Sequence, residues 1–66
     1  MKRKDVERFL KKKVKLTCQM DDRSEPVSLY YTGVVLEVNE ESLHMRDKFD
    51  KFVVVSLETI KNIQEV

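Results

Sequence analysis

The chain has one cysteine, one histidine, one glycine and one proline in 66 residues, and each scarcity excludes something. A lone Cys18 rules out an internal disulfide, and one Cys with one His cannot supply the four ligands of a structural zinc site. No apolar run approaches the ~20 residues that a membrane-spanning helix needs. Met1-Lys2-Arg3-Lys4 is followed by more charge where a secretory signal requires an apolar stretch, so a cytoplasmic protein is expected. No nucleophile-and-base or paired-carboxylate spacing is recognisable. No catalytic residue, metal or cofactor is therefore expected, and the chain does not read as an enzyme.

What is present is a single small domain of 7.9 kDa, 41% hydrophobic and 38% charged. A chain of this length buries only roughly 60% of its unfolded surface, so its own core gives marginal stability. With disulfide and zinc excluded, self-association is the remaining route to extra stability. The formal charge of +1 hides an asymmetry: residues 1–15 carry eight bases against two acids, and the remainder five bases against ten acids. The expected molecule has a basic end and an acidic body. Clustered Lys and Arg can mark a polyanion site; the plain alternative is a solvated helix face.

Val6, Phe9 and Leu10 lie at i, i+3 and i+4, which predicts an amphipathic helix from about Lys2 to Lys12. Val14, Leu16, Cys18 and Met20 then alternate with polar residues, the period of a half-buried strand. Cys18 faces inward there and reads as a small buried hydrophobe. Asp21-Asp22-Arg23-Ser24-Glu25-Pro26 reads as a polar turn ended by proline, with the adjacent aspartates serving turn solvation. A long strand follows from about Val27 to Val38. Its apolar positions are odd at Val27, Leu29 and Tyr31 but even at Val34, Leu36 and Val38, so a bend or bulge is expected near Gly33.

Asn39-Glu40-Glu41-Ser42 reads as a hairpin turn, followed by a strand in which Leu43 and Met45 alternate with an outward-facing His44 and Arg46. After a turn at Lys48-Phe49-Asp50-Lys51, the stretch Phe52-Val53-Val54-Val55 is apolar on both faces. In so short a chain, such a strand implies cover from another subunit. In the tail, Leu57, Ile60 and Ile63 recur every three residues, which suits either a helix capped by Ser56 or a tight turn and a last strand.

A helix followed by five short strands, the second long and glycine-bent, resembles the Sm-like barrel of the Sm, Lsm and Hfq proteins. Gly33-Val34-Val35-Leu36-Glu37-Val38-Asn39 is similar to the first Sm motif. The stretch from Val53 to Ile63 resembles the strand, one-turn link and strand of the second motif, which favours the strand for the tail. The resemblance implies a mostly β, five-stranded, strongly bent SH3-like or Sm-like barrel over residues 14–66, preceded by a basic helix over 1–13. It also implies that strand four of one subunit pairs with strand five of the next in a hexameric or heptameric ring. Such a head-to-tail contact must close or run on. The chain departs from the family at the RNA-base pocket: Ser42 and Ser56-Leu57 stand where the family has an asparagine and an Arg-Gly pair. Val54 and Val55 stand where the Hfq version has Lys-His.

The expected function is a non-catalytic homo-oligomeric ring that binds single-stranded RNA as a chaperone or scaffold. Lys4, Arg8, Lys11, Lys12 and Lys13 would meet phosphates, Tyr30 or Tyr31 would offer a stacking surface, and Asn39, Ser42 and Thr59 would contact bases. The subunit joint would be formed by Phe52, Val53, Val54 and Val55 with Ile60 and Ile63. The alternative is a protein-interaction and assembly module of the same fold without RNA binding, which the missing pocket arginine and the acidic body favour.

Overall fold

The computed structural model describes residues 1–22 and 25–66. A short helix α1 (Arg3–Glu7) precedes five strands: β1 (Lys13–Asp22), β2 (Glu25–Val38), β3 (Ser42–Asp47), β4 (Phe52–Ser56) and β5 (Ile60–Glu65), with a 3₁₀ turn at Leu57–Thr59 before β5. The strands form one antiparallel sheet in the order β4-β3-β2-β1-β5. The expected closed barrel is not formed. The 3₁₀ turn carries the chain from one end of the sheet to the other without pairing β4 to β5, so both remain edges.

One face of the sheet holds the core. Val14, Leu16 and Cys18 of β1, Val35 of β2, Leu43 and Met45 of β3, Val55 of β4 and Ile60 and Ile63 of β5 meet Val6, Phe9 and Leu57 there. These residues carry the alternation seen in the sequence, and no polar or charged side chain is buried among the described residues.

The helix is much shorter than the apolar spacing predicted. Phe9, Leu10 and Lys12 donate their N–H groups three residues back, to Val6, Glu7 and Phe9, and Lys11 takes a left-handed φ of 67°. The chain is then captured by β2, with Lys11 N–H on the Val35 carbonyl at 2.7 Å and Val35 N–H on the Lys12 carbonyl at 3.1 Å. An isolated helix of this length is marginal in water, so these tertiary bonds win. Leu10, the third member of the predicted stripe, is consequently left exposed.

The first hairpin also differs from expectation. Both strands run into the segment read as a turn, where Asp21 opposes Pro26 and Asp22 opposes Glu25; Arg23 and Ser24 of that predicted turn lie outside the described residues. β5 pairs β1 only as far as Cys18, and β3 pairs β2 only from Gly33 onward. The outer part of the hairpin is therefore a two-stranded ribbon projecting beyond the core. Val27, Leu29 and Met20 face the core side there but remain partly exposed, and Pro26 falls where no third strand needs its missing N–H.

The phase change in β2 exists, three residues beyond its expected place. Gly33 and Val35 keep the inward odd phase, whereas Val34 faces outward opposite Arg46. The register shifts between Val35 and Glu37, which leaves Leu36 as the extra residue and brings Val38 opposite the buried Leu43. A second register shift, between Thr17 and Cys18, skips Lys61 and resolves the ambiguous tail. The spacing of three from Ile60 to Ile63 is that of a bulged strand, and the spacing of three from Leu57 to Ile60 is that of a 3₁₀ turn; all three side chains are buried. Among the described residues, no helix is long and apolar enough to cross a membrane.

Candidate nucleic-acid interface

The expected RNA-binding residues fall in three places. Lys4 lies on α1, Arg8, Lys11 and Lys12 lie on the turns that follow it, and Lys13 opens β1; all five are exposed. Acids already answer part of this basic end. Arg3 is held by Glu7 at 2.6 Å and by Glu40 at 2.7 Å, and Lys12 by Glu65 at 3.3 Å. The hydrogen bonds to Glu40 and then Glu7 raise the Arg3 pKa further above its ordinary value, so this guanidinium stays charged. The groove beside α1 is lined by Lys2, Arg3 and Lys4 but also by Glu7, Glu40, Glu41 and Glu58, a mixed field rather than an anion site. The cations with no ion-pair partner among the described residues are Lys2, Lys4, Arg8, Lys11, Lys13, Lys15, Lys48, Lys51 and Lys61.

Asn39, Ser42 and Thr59 come together at one end of the sheet, where Ser42 opposes Ser56 and the Leu57 N–H donates to the Glu41 carbonyl at 2.9 Å. Their side-chain oxygens are occupied by the turns themselves. Asn39 Oδ1 accepts from the Glu41 N–H, the Ser42 N–H and the Ser42 hydroxyl at 2.8–3.0 Å. The Thr59 hydroxyl donates to the Ser56 carbonyl at 2.8 Å. An asparagine oxygen bonding backbone two and three residues on is a turn lock, which explains why this hairpin forms here. Reading a base with that oxygen would require opening the turn.

Tyr30 stands on the outer face of the sheet, opposite Thr17 and 68% exposed. Tyr31 turns to the core face and is half-buried. Of the two stacking candidates, Tyr30 alone presents an open ring. Ile60 and Ile63, expected at a subunit joint, are buried in the chain's own core against β1. On β4, Val53 and Val55 likewise face the core, while Phe52 and Val54 are exposed on the other face at 70% and 64%.

His44 faces outward and is half-buried between Glu37 and Val54, its Nε2 3.5 Å from the Ser42 hydroxyl. Among the described residues, no three His, Cys, Asp or Glu side chains cluster to hold a metal ion. Cys18 is closed off from solvent, and burial raises its thiol pKa, with the Thr59 hydroxyl working weakly the other way. The neutral thiol thus stabilises the fold fully below the pKa of the unfolded chain, and that contribution is lost as pH rises through the higher folded value. Iodoacetamide at neutral pH should label the native thiol at least about tenfold more slowly than the urea-unfolded chain, because the thiolate is the reactive form; equal rates would show that Cys18 is accessible.

Sequence reasoning missed a third group. Lys15, Arg46 and Phe52 share the outer side of the sheet with Lys13 and Tyr30, and the exposed Lys48 and Phe49 stand in the adjoining turn between β3 and β4. Their sequence signal was the pair of phenylalanines set among bases between residues 46 and 52, which reads locally as a turn and a strand start. Compared with protein-family models, with curated proteins and with solved structures, the chain matches none of them.

Proposed function

We propose that this chain is a subunit of an Sm-like homo-oligomeric ring, joined head to tail through β4 and β5, that binds single-stranded RNA without catalysis. The observation that carries the assembly is the pair of free edges. β4 and β5 end the sheet on opposite sides, and an unpaired strand edge is a template for another chain. Edge strand β4 also exposes Val54, an apolar side chain that a docked strand would help to cover. Joining unlike edges gives a heterologous contact that closes into a ring when the rotation allows. The buried Ile60 and Ile63 then serve the joint by holding β5 flat against β1, and the contact itself runs through backbone and the outward side chains.

RNA binding is supported by the exposed cations of the N-terminal segment, above all Lys11 and Lys13, which a ring would multiply on one assembly. Replacing Lys11, Lys12 and Lys13 together by Ala should weaken binding of a labelled oligouridylate and flatten the dependence of log K on log salt by about 0.7 for each phosphate no longer neutralised. Lys12, already paired with Glu65, should account for the least of it. An unchanged salt slope would remove this segment from the site.

The occupied oxygen of Asn39 favours a second reading, an assembly module of the same architecture with no RNA function. A native mass spectrum with and without short U-rich and A-rich RNA at low salt separates the two. A ring that takes up RNA supports the first, a ring that ignores both RNAs the second, and a monomer contradicts both.

A further inference from the structure

The outer face of the sheet carries a row of side chains that sequence distance conceals. Register sets Lys13 opposite Val34, Val34 opposite Arg46 and Arg46 opposite Phe52, one line across four strands. Lys15 lies beside this line opposite Thr32, and Lys48 donates its backbone N–H to the Thr32 carbonyl at 3.0 Å. Phe49 and Phe52 are each 70% exposed. The Lys48 ammonium stands 5.2 Å from the centre of the Phe49 ring, and the Arg46 guanidinium 4.9 Å from that of Phe52. Three acids adjoin them, of which Glu37 shares the outer face opposite His44. One oxygen of Asp47 accepts the N–H groups of Phe49 and Lys51, both at 2.9 Å, and Asp50 pairs with Arg46 at 3.2 Å. Four cations, of which Arg46 is already paired with Asp50, against three acids leave this face with one base in excess.

We propose that this face binds single-stranded RNA, with bases stacking on Phe49 and Phe52 and phosphates lying against Lys13, Lys15, Arg46 and Lys48. An exposed ring with a cation over one side keeps its other side open, and stacking on such rings beside a positive groove is how single strands are held without sequence readout. A lipid surface fits less well, since each ring is paired with a charge and the three acids would have to approach anionic headgroups. The inference goes beyond the N-terminal segment and ring closure and depends on neither, sharing only Lys13 with the former.

The chain has no tryptophan, so Phe49→Trp places a single emitter at the site. Stacking predicts that oligouridylate quenches its emission saturably. Phe49→Ala should weaken binding at least about fivefold and leave the salt slope unchanged, because every phosphate keeps its cation. Both variants change an exposed side chain, and matching far-ultraviolet circular dichroism verifies that they fold. No quenching at saturating RNA, or wild-type affinity in Phe49→Ala, overturns the proposal. So does binding to vesicles of phosphatidylserine and phosphatidylcholine with none to RNA. Loss of affinity in the triple lysine variant with none in Phe49→Ala would overturn this face alone and leave the N-terminal reading standing. The converse result would support stacking on Phe49 and remove the N-terminal segment, Lys13 included.

Discussion

Gly33→Ala should unfold most of the molecule. The added Cβ would lie 2.0 Å from the Arg46 carbonyl oxygen, 2.7 Å from the Asp47 Cα and 2.8 Å from the Arg46 carbonyl carbon. All three are backbone atoms of β3, paired to β2 at this point, so no side-chain rotation can make room. Relief requires β3 to separate from β2, and with it go Leu43 and Met45, both fully buried. At about 0.05–0.15 kcal/mol per residue a domain of this size has only about 3–10 kcal/mol in total, and a clash that only backbone separation can relieve belongs to the few mechanisms whose losses exceed about 4 kcal/mol. Urea denaturation followed by circular dichroism should show no folded baseline, or a midpoint far below wild type. Val34→Ala, one residue away on the outer face, should cost less than about 1.5 kcal/mol. A Gly33→Ala protein with a wild-type midpoint would refute the close crossing of β2 and β3.

Val54→Glu should do the opposite, sparing the chain and dispersing the assembly. Val54 is 64% exposed on β4, so within one subunit the carboxylate meets water, and the cost should stay within about 1 kcal/mol of β-propensity and packing. At a joint where β5 of a neighbour docks along β4, the same carboxylate is partly desolvated with His44 as its cross-strand neighbour. Charges on edge strands are the usual guard against such pairing, and a charge left uncompensated at a closed contact costs about 3–5 kcal/mol. If the proposed ring forms, native mass spectrometry at fixed concentration should therefore show monomer for the variant and ring for the wild type, with thermal midpoints measured in parallel. An unchanged assembly mass would place the joint elsewhere, and a collapse of the thermal midpoint would mean that Val54 serves the core of its own chain.

The two variants mark the boundary of what could be read in advance. Gly33 was legible as a special position from its uniqueness and its place in a long strand, but the reason lies in a backbone crossing that no local pattern reveals. The change of phase was legible too, yet Leu36 takes the bulge rather than Gly33. Register with β3 makes that choice, since it brings both Val35 and Val38 inward, opposite Met45 and Leu43. In the tail, spacing of three was consistent with a helix and with a bulged strand, and the pairing of Cys18 with Ile60 and Thr17 with Asn62 decided between them. The candidate site was less legible than the fold. Asn39, Ser42 and Thr59 have the chemistry to contact bases, but hydrogen bonds between neighbours in the turns use it first.

By itself the sequence determined the order of the elements through β4, the strand faces of β1 and β3 and the core residues they carry, because the alternation of apolar and polar residues is a local consequence of the strand's two-residue period. It likewise determined that no disulfide or Cys/His zinc site staples the fold. Only the tertiary structure decided where α1 stops, where the bulges fall, and that the sheet stays open with β4 and β5 as edges. It alone set Lys13 and Lys15 beside Arg46 and Lys48. These outcomes depend on hydrogen bonds and register between residues far apart in the chain, and periodicity carries no information about which distant partner a backbone group will find.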